Sequence, residues 1–199
     1  MGFYRAGKFW GIENFNVTPD IIVFGKALTN GLNPLSGIWA KEGLITPEKF
    51  PPGSTHSTFS SNTLGTAVAL ELIRMTEEID YEKITREKGG YFLERIKELQ
   101  KKYPKIIGDT DGLGMALRIE ICQADGFTPD RELCDEIFAE GMKGDIEIGG
   151  KKMGLVLDVG GYYKNVFTLA PSFEITEREI DLSIEMFEIL FKRCAADRV

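Results

Sequence analysis

Histidine is nearly absent from this chain. His56 is the only one among 199 residues, which excludes a multi-histidine metal site built within it. Cysteine is hardly more common: Cys122, Cys134 and Cys194 form no C-x-x-C pair, which argues against a zinc or dithiol motif and for free thiols in a reducing cytosol. Positive charge is outnumbered, with 24 Lys and Arg against 31 Asp and Glu and a net charge of -7. This balance argues against a nucleic-acid or anionic-membrane surface, which would need a basic stripe. The sequence has no apolar run of membrane-spanning length and no cationic leader followed by an apolar core, so the expected location is cytoplasmic. A G-x-S-x-G elbow is missing too, which argues against a Ser-His-Asp hydrolase.

What is present is ordinary globular composition, 43% hydrophobic and 28% charged, in two textures. Residues 1–78 hold short apolar runs between Gly-, Ser-, Thr-, Asn- and Pro-rich loops. "DIIVFG" and "LSGIWA" read as short buried strands, and "FPPGSTHSTFSSN" is a polar loop feeding the helix "TLGTAVALELIRMTEEI". Gly65, Ala67 and Ala69 suggest that this helix packs closely on a neighbour. Residues 79–199 alternate amphipathic helices with strands. "YEKITREKGGYFLERIKELQKKYP" is helical, "IIGDTDGLGMALRIEIC" is a turn followed by a strand, and "PDRELCDEIFAEGMKG" is a helix opened by Pro129 and stopped by Gly144. "MGLVLDVGGYYKNVFTLAP" gives two strands around a Gly-Gly turn. Thr176 and Glu179 form a capping box for the last helix. This order predicts a compact α/β or α+β unit of about 120 residues. The first block, with two strands and one long helix, does not make a self-sufficient core.

Lys26 is the residue with chemistry. "FGKA" is no phosphate-binding P-loop, since Asp20 stands at the first glycine position and Ala27 follows the lysine. A lysine at the end of a buried strand, between Gly25 and Ala27, is partly desolvated. Desolvation lowers an ammonium pKa, as a Schiff-base lysine requires. The alternative is an exposed lysine that merely ends its strand.

The segment "FYRAGKFWGIENFNVTPDIIVFGKALTNGLNPLSG" resembles the class III (subgroup II) aminotransferases, the fold-type-I enzymes that use pyridoxal 5'-phosphate. Gly2, Phe3, Arg5 and Gly7 match their G-F-G-R-T-G loop, with Tyr4 and Ala6 as departures. Pro19, Asp20, Gly25, Lys26, Ala27, Leu28, Gly31 and Pro34 match their lysine segment. "STHSTFSSN" is similar to their H-G-x-T-F-x-x-N loop, and "NVFTLAPSFEITEREID" to their closing strand, Pro and helix start. The resemblance covers essentially the whole chain. It implies the end of the large-domain sheet (1–78) followed by a small C-terminal α/β domain (79–199).

Residue by residue, the resemblance implies that Lys26 forms the Schiff base with the cofactor aldehyde and then shuttles a proton at the substrate α-carbon. Thr58 would reach across a homodimer interface to the cofactor phosphate of the other subunit. Ser57, Thr58 and Ser60 also read as a Ser/Thr turn before a helix, and His56 as a loop residue. The intact enzyme would transfer an amino group between an amine or amino acid and an oxo acid, its two subunits sharing the active site. Many members grip the substrate carboxylate with an Arg that this register replaces by Thr168. Arg118 and Lys164 are the candidate substitutes, and both also fit as surface or strand-edge charges. The family's D-E-x-Q stretch, with the carboxylate that keeps the pyridine nitrogen protonated, falls ahead of Met1. The expectation is therefore the C-terminal half of an enzyme subunit. A racemase or aminomutase of the same fold, and a non-catalytic remnant or partner module, are the rival readings.

Overall fold

A computed structural model of the protein describes residues 1–54 and 56–199. The chain divides into two compact units, Met1–Lys83 and Ile84–Val199.

In the first unit, β1 (Ile21–Phe24) pairs antiparallel with β2 (Gly37–Ala40) in the register Ile22↔Trp39 and Val23↔Ile38. A 3₁₀ turn, Lys26–Thr29, follows β1, and α1 (Thr63–Glu78) packs on that turn. Asn62 caps α1, its side-chain oxygen accepting the Gly65 N–H at 2.7 Å. Gly65 and Ala69 are buried while Ala67 is exposed, so close packing involves one stripe of the helix. The unit's core is small. Phe3, Leu28 and Ala69 are its fully buried members, flanked by Phe9, Trp10, Phe24, Leu35 and Leu72. "DIIVFG" is a strand, but not a buried one: Val23 is 74% exposed and Ile38 60%. Two strands alone have two open faces, and among the described residues nothing covers either face completely.

The second unit has a full core. Its sheet is antiparallel with strand order β3-β4-β8-β7, formed by β3 (Ile107–Leu113), β4 (Ala116–Ile121), β7 (Asp158–Gly160) and β8 (Val166–Leu169). Leu117, Ile119 and Ile121 of β4 and Phe167 and Leu169 of β8 point into the core. There they join α2 (Tyr81–Lys102) through Phe92, Ile96 and Leu99, α3 (Arg131–Gly141) through Leu133 and Ile137, and α4 (Glu177–Cys194) through Ile180, Phe187 and Phe191. The alternate positions of the sheet, Arg118, Glu120 and Thr168 among them, lie on its open polar face.

Three local readings differ from the structure. "IIGDTDG" is strand β3 rather than a turn. It is an edge strand whose Asp109 and Asp111 face outward, so its acidic composition suits an edge that must avoid further pairing. A short hairpin, β5 (Ile146–Ile148) with β6 (Lys151–Met153), turns on Gly149-Gly150, both with positive φ. Helix α3 opens at Asp130, not Pro129: the Asp130 carboxylate accepts the Leu133 N–H at 3.0 Å. Its other oxygen accepts from Arg198 Nη1 at 2.7 Å, so the chain's end ties back to the start of α3. The capping box at Thr176 and Glu179 is present.

Adjacent glycines in α2 meet opposite surroundings. A Cβ on Gly89 would drive into the Gly114 carbonyl, far inside van der Waals contact, whereas one on Gly90 meets nothing within 4 Å. Gly89→Ala is therefore expected to destabilise the protein by about 2 kcal/mol or more, through overpacking against backbone. Gly90→Ala is expected to stabilise it by about 0.5–1 kcal/mol. Urea unfolding of the two variants checks both signs, and equal effects contradict the packing described.

Asp181 on α4 holds α2 through Arg95 Nε at 2.7 Å and the Tyr91 hydroxyl at 2.9 Å. The Arg95 hydrogen bond first, and then the Tyr91 hydroxyl, keep the carboxyl below its ordinary 3.8. A depressed folded-state pKa adds stability above the unfolded value and loses it as pH falls through the folded one. Asp181→Asn should therefore lower Tm at neutral pH, and the gap should close in acid below the usual carboxylate range.

Candidate active site

Lys26 stands where β1 ends. Gly25 is extended (φ 179°), and a Cβ there would lie 3.2 Å from Ser36 Cβ and 3.3 Å from the Leu35 carbonyl oxygen. The chain leaves the strand through a gap that glycine suits. Lys26 itself is left-handed at φ 49°, a conformation that costs a non-glycine residue about 1–2 kcal/mol and marks over-determined local structure. The 3₁₀ turn that follows is closed by Asn30, also left-handed, whose N–H donates to the Ala27 carbonyl at 3.0 Å. Leu28 and Thr29 are buried, and the Thr29 hydroxyl donates to the Asn33 carbonyl. The turn is thus anchored by the two residues after Ala27, while Lys26 remains exposed. The desolvation expected for this lysine is not met among the described residues, because β1 belongs to an open two-stranded sheet. No carboxylate among them pairs with its amine.

Aromatic rings support the turn. Phe24, two residues before Lys26, lies 5.5 Å from Trp10 between ring centroids, and Trp10 lies 4.8 Å from Phe9 and 5.6 Å from Phe3. These rings belong to the loop Met1–Gly11, which closes on itself through the Gly11 N–H to the Met1 carbonyl at 2.7 Å. Burial lowers the Arg5 guanidinium pKa within this loop.

Thr58 is exposed in a turn that the Ser60 N–H and Ser60 hydroxyl close on the Ser57 carbonyl, at 3.0 and 2.9 Å. Among the described residues no hydrogen bond holds the Thr58 hydroxyl. His56 is an exposed loop residue. Thr55, inside the "STHSTFSSN" stretch, lies outside the described residues.

The remaining candidates belong to the second unit, where the sheet brings two of them together. Arg118 on β4 is the direct cross-strand neighbour of Thr168 on β8, and both are on the open face. Thr168 in turn faces Asp158 on β7. The Arg118 Nη2 donates to Asp109 Oδ2 at 2.5 Å, and Nη1 lies 3.9 Å from Glu120 Oε2. The sequence reading missed Asp109 as the partner of this guanidinium, although the alternation of "DTD" across a strand was its signal. Lys164 is not part of this group. It sits exposed and left-handed (φ 56°) in the β7–β8 connection, beside the exposed Tyr162 and Tyr163. Asn165, also missed, is buried at the base of that connection and donates to the Ile121 carbonyl at 2.8 Å.

The thiols offer no competing nucleophile. Burial pushes Cys122 and Cys194 up to about 11 and Cys134 up to about 12. Among the described residues no helix is long and apolar enough to cross a membrane.

Comparison with known proteins gives these features a family. The sequence profile of aminotransferase class-III matches residues 1–191. The alanine–glyoxylate aminotransferase 2 homolog 2 of Arabidopsis thaliana is 31% identical over 190 residues, covering 94% of this chain and 37% of the relative. An ornithine aminotransferase of Exiguobacterium is 30% identical, with coverage of 98% and 42%. The alanine/serine racemase of Pyrococcus horikoshii is also 30% identical, with coverage of 100% and 39%. The chain therefore spans about two fifths of the length of these relatives. Among solved structures, a transaminase with L-alanine superposes over the whole chain with a TM-score of 0.83 at 23% identity, across 46% of its own length. A Bacillus anthracis aminotransferase superposes with a TM-score of 0.77 at 27% identity, over 96% of this chain and 43% of its own. The fold is the end of the large-domain sheet plus the C-terminal small domain of the fold-type-I transferases, and the chain belongs to the class-III aminotransferase family.

Proposed function

We propose that the protein containing this chain is a pyridoxal-phosphate-dependent transaminase that moves an amino group between an amine or amino acid and an oxo acid, with Lys26 as its central residue. The observation carrying this reading is the turn at Lys26: a left-handed residue whose amine has no carboxylate partner among the described residues, fixed by Gly25 on one side and by buried Leu28 and Thr29 on the other. The donor set fits a carbonyl cofactor, because a free primary amine without a carboxylate partner can attach to an aldehyde carbon. When bound, pyridoxal phosphate supplies that aldehyde and a ring that takes up the electron pair released at the substrate α-carbon.

In this reading Lys26 Nζ would hold the cofactor through its aldehyde and would carry the proton taken from the substrate α-carbon. Thr58 would donate its hydroxyl to a phosphate oxygen of the other subunit's cofactor in a homodimer, for which its free exposed hydroxyl is suited. Arg118, with Thr168 beside it, would pair with a substrate carboxylate by exchanging its contact with Asp109. Lys164 is the second candidate for that role. The carboxylate for the pyridine nitrogen would come from polypeptide corresponding to the rest of the relatives' length. Burial of β1 and β2 would come from the same source, and with it the desolvation that Lys26 needs. The open faces of Val23 and Ile38 support this assignment. We place the enzyme in the cytoplasm.

A second reading, racemisation, has the similarity to the Pyrococcus horikoshii racemase in its favour. It uses the same lysine and returns the amine to the same molecule. Release of an oxo acid together with pyridoxamine phosphate favours transfer. Loss of substrate chirality without an oxo acid favours racemisation.

The deciding experiment is borohydride reduction of the natively purified protein with pyridoxal phosphate, followed by peptide mass mapping. One stoichiometric pyridoxyl group on Lys26, abolished in Lys26→Ala, is expected. Labels scattered over other lysines overturn the assignment. Turnover by Lys26→Ala should fall by about a thousandfold or more.

A further inference from the structure

Helix α2 has a divided allegiance. It runs from Tyr81 to Lys102, but the boundary between the two compact units falls inside it, at Lys83/Ile84. Its first turn is gripped by the first unit's aromatic loop. Lys8 Nζ donates to Glu82 Oε1 at 2.5 Å, and the Tyr4 and Tyr81 rings stack at 5.9 Å. From there the rings run without a gap toward the lysine turn: Tyr4 to Phe9 at 5.6 Å, Phe9 to Trp10 at 4.8 Å, Trp10 to Phe24 at 5.5 Å. Phe24 and Leu28 then bracket Lys26 from either side in sequence, and both belong to the same core cluster.

We propose that the lysine turn and the first turn of α2 form one cooperative element, joined by this aromatic relay and locked by Lys8–Glu82. The remainder of α2 opens and closes with the second unit's core instead. The argument rests on contact and size. Among the described residues the cluster has three buried side chains, too few to insulate the two turns from one another. Packed rings within 6 Å transmit a displacement instead of absorbing it. Beyond Ile84 the helix buries Phe92, Ile96 and Leu99 in a far larger core, which fixes that part separately. Ile79 and Asp80 form the short non-helical joint between α1 and α2. A ligand that orders the lysine turn would thereby order the start of the helix that continues into the second unit. Lys8 and Tyr81 act here as positioning residues through other groups.

The coupling is independent of which reaction Lys26 serves, and native-state hydrogen exchange tests it. Lys8→Met removes a half-exposed ion pair, so exchange should rise about two- to fivefold at the amides of 81–84. The same factor should appear at 26–29, with 92–102 unchanged. Lys8→Arg should restore protection in both segments, and Tyr81→Leu should open both. A rise confined to 81–84 overturns the proposal, because it leaves a local contact and nothing more. A uniform rise that includes 92–102 overturns it as well, since α2 would then behave as one body.

Discussion

The left-handed turn at Lys26 is held by packing on the residues around it, and the role proposed for its amine depends on that restraint. An amine on a flexible four-carbon stem has little direction of its own. Its backbone has to be fixed, and φ 49° is a conformation that lysine does not choose unaided. Burial of Leu28 and Thr29, the close fit at Gly25 and the ring of Phe24 against Trp10 supply the restraint. Helix α1 contributes through its smallest residues: Gly65 and Ala69 are buried because a larger side chain would hold the helix off.

The two units differ in how much of their apolar surface they bury. The second has a continuous core of helices against one sheet face, and its open face is polar, so it satisfies itself. The first spends most of its apolar residues on surface. Val23, Ile38, Trp39, Leu64 and Leu70 are all exposed, and a two-stranded sheet cannot cover them. Relatives more than twice as long match this chain over nearly all its length, and their additional polypeptide is the natural candidate for that cover.

Much of this was legible in sequence because the signals were local. The amphipathic period of α2, the Thr176–Glu179 capping box and the Gly160-Gly161 turn each depend on neighbours a few residues away. The turn at Lys26 was legible as motif, since Gly25, Lys26 and Pro34 are compositionally distinctive, while its exposure was not. Burial is decided by what packs on a strand, and four apolar residues in a row look the same covered or open. Strand β3 was misread for a related reason: Asp109, Asp111 and Gly112 suggest a turn, but an edge strand tolerates them. Asp109 escaped notice as the Arg118 partner because only strand register brings the two together. The β5–β6 hairpin, with three-residue strands, is too short for periodicity to register.

Two of the thiols, Cys122 and Cys134, are buried and Cys194 is half-buried, which has a practical consequence. Burial raises all three thiols and leaves only Cys194 partly exposed, so the native surface offers electrophilic dyes little cysteine to react with. A single cysteine introduced at an exposed position, such as Tyr162 in the β7–β8 connection, would be the fast-reacting thiol of the whole chain. The protein is thus suited to site-specific fluorophore or spin-label attachment without first stripping out its natural cysteines.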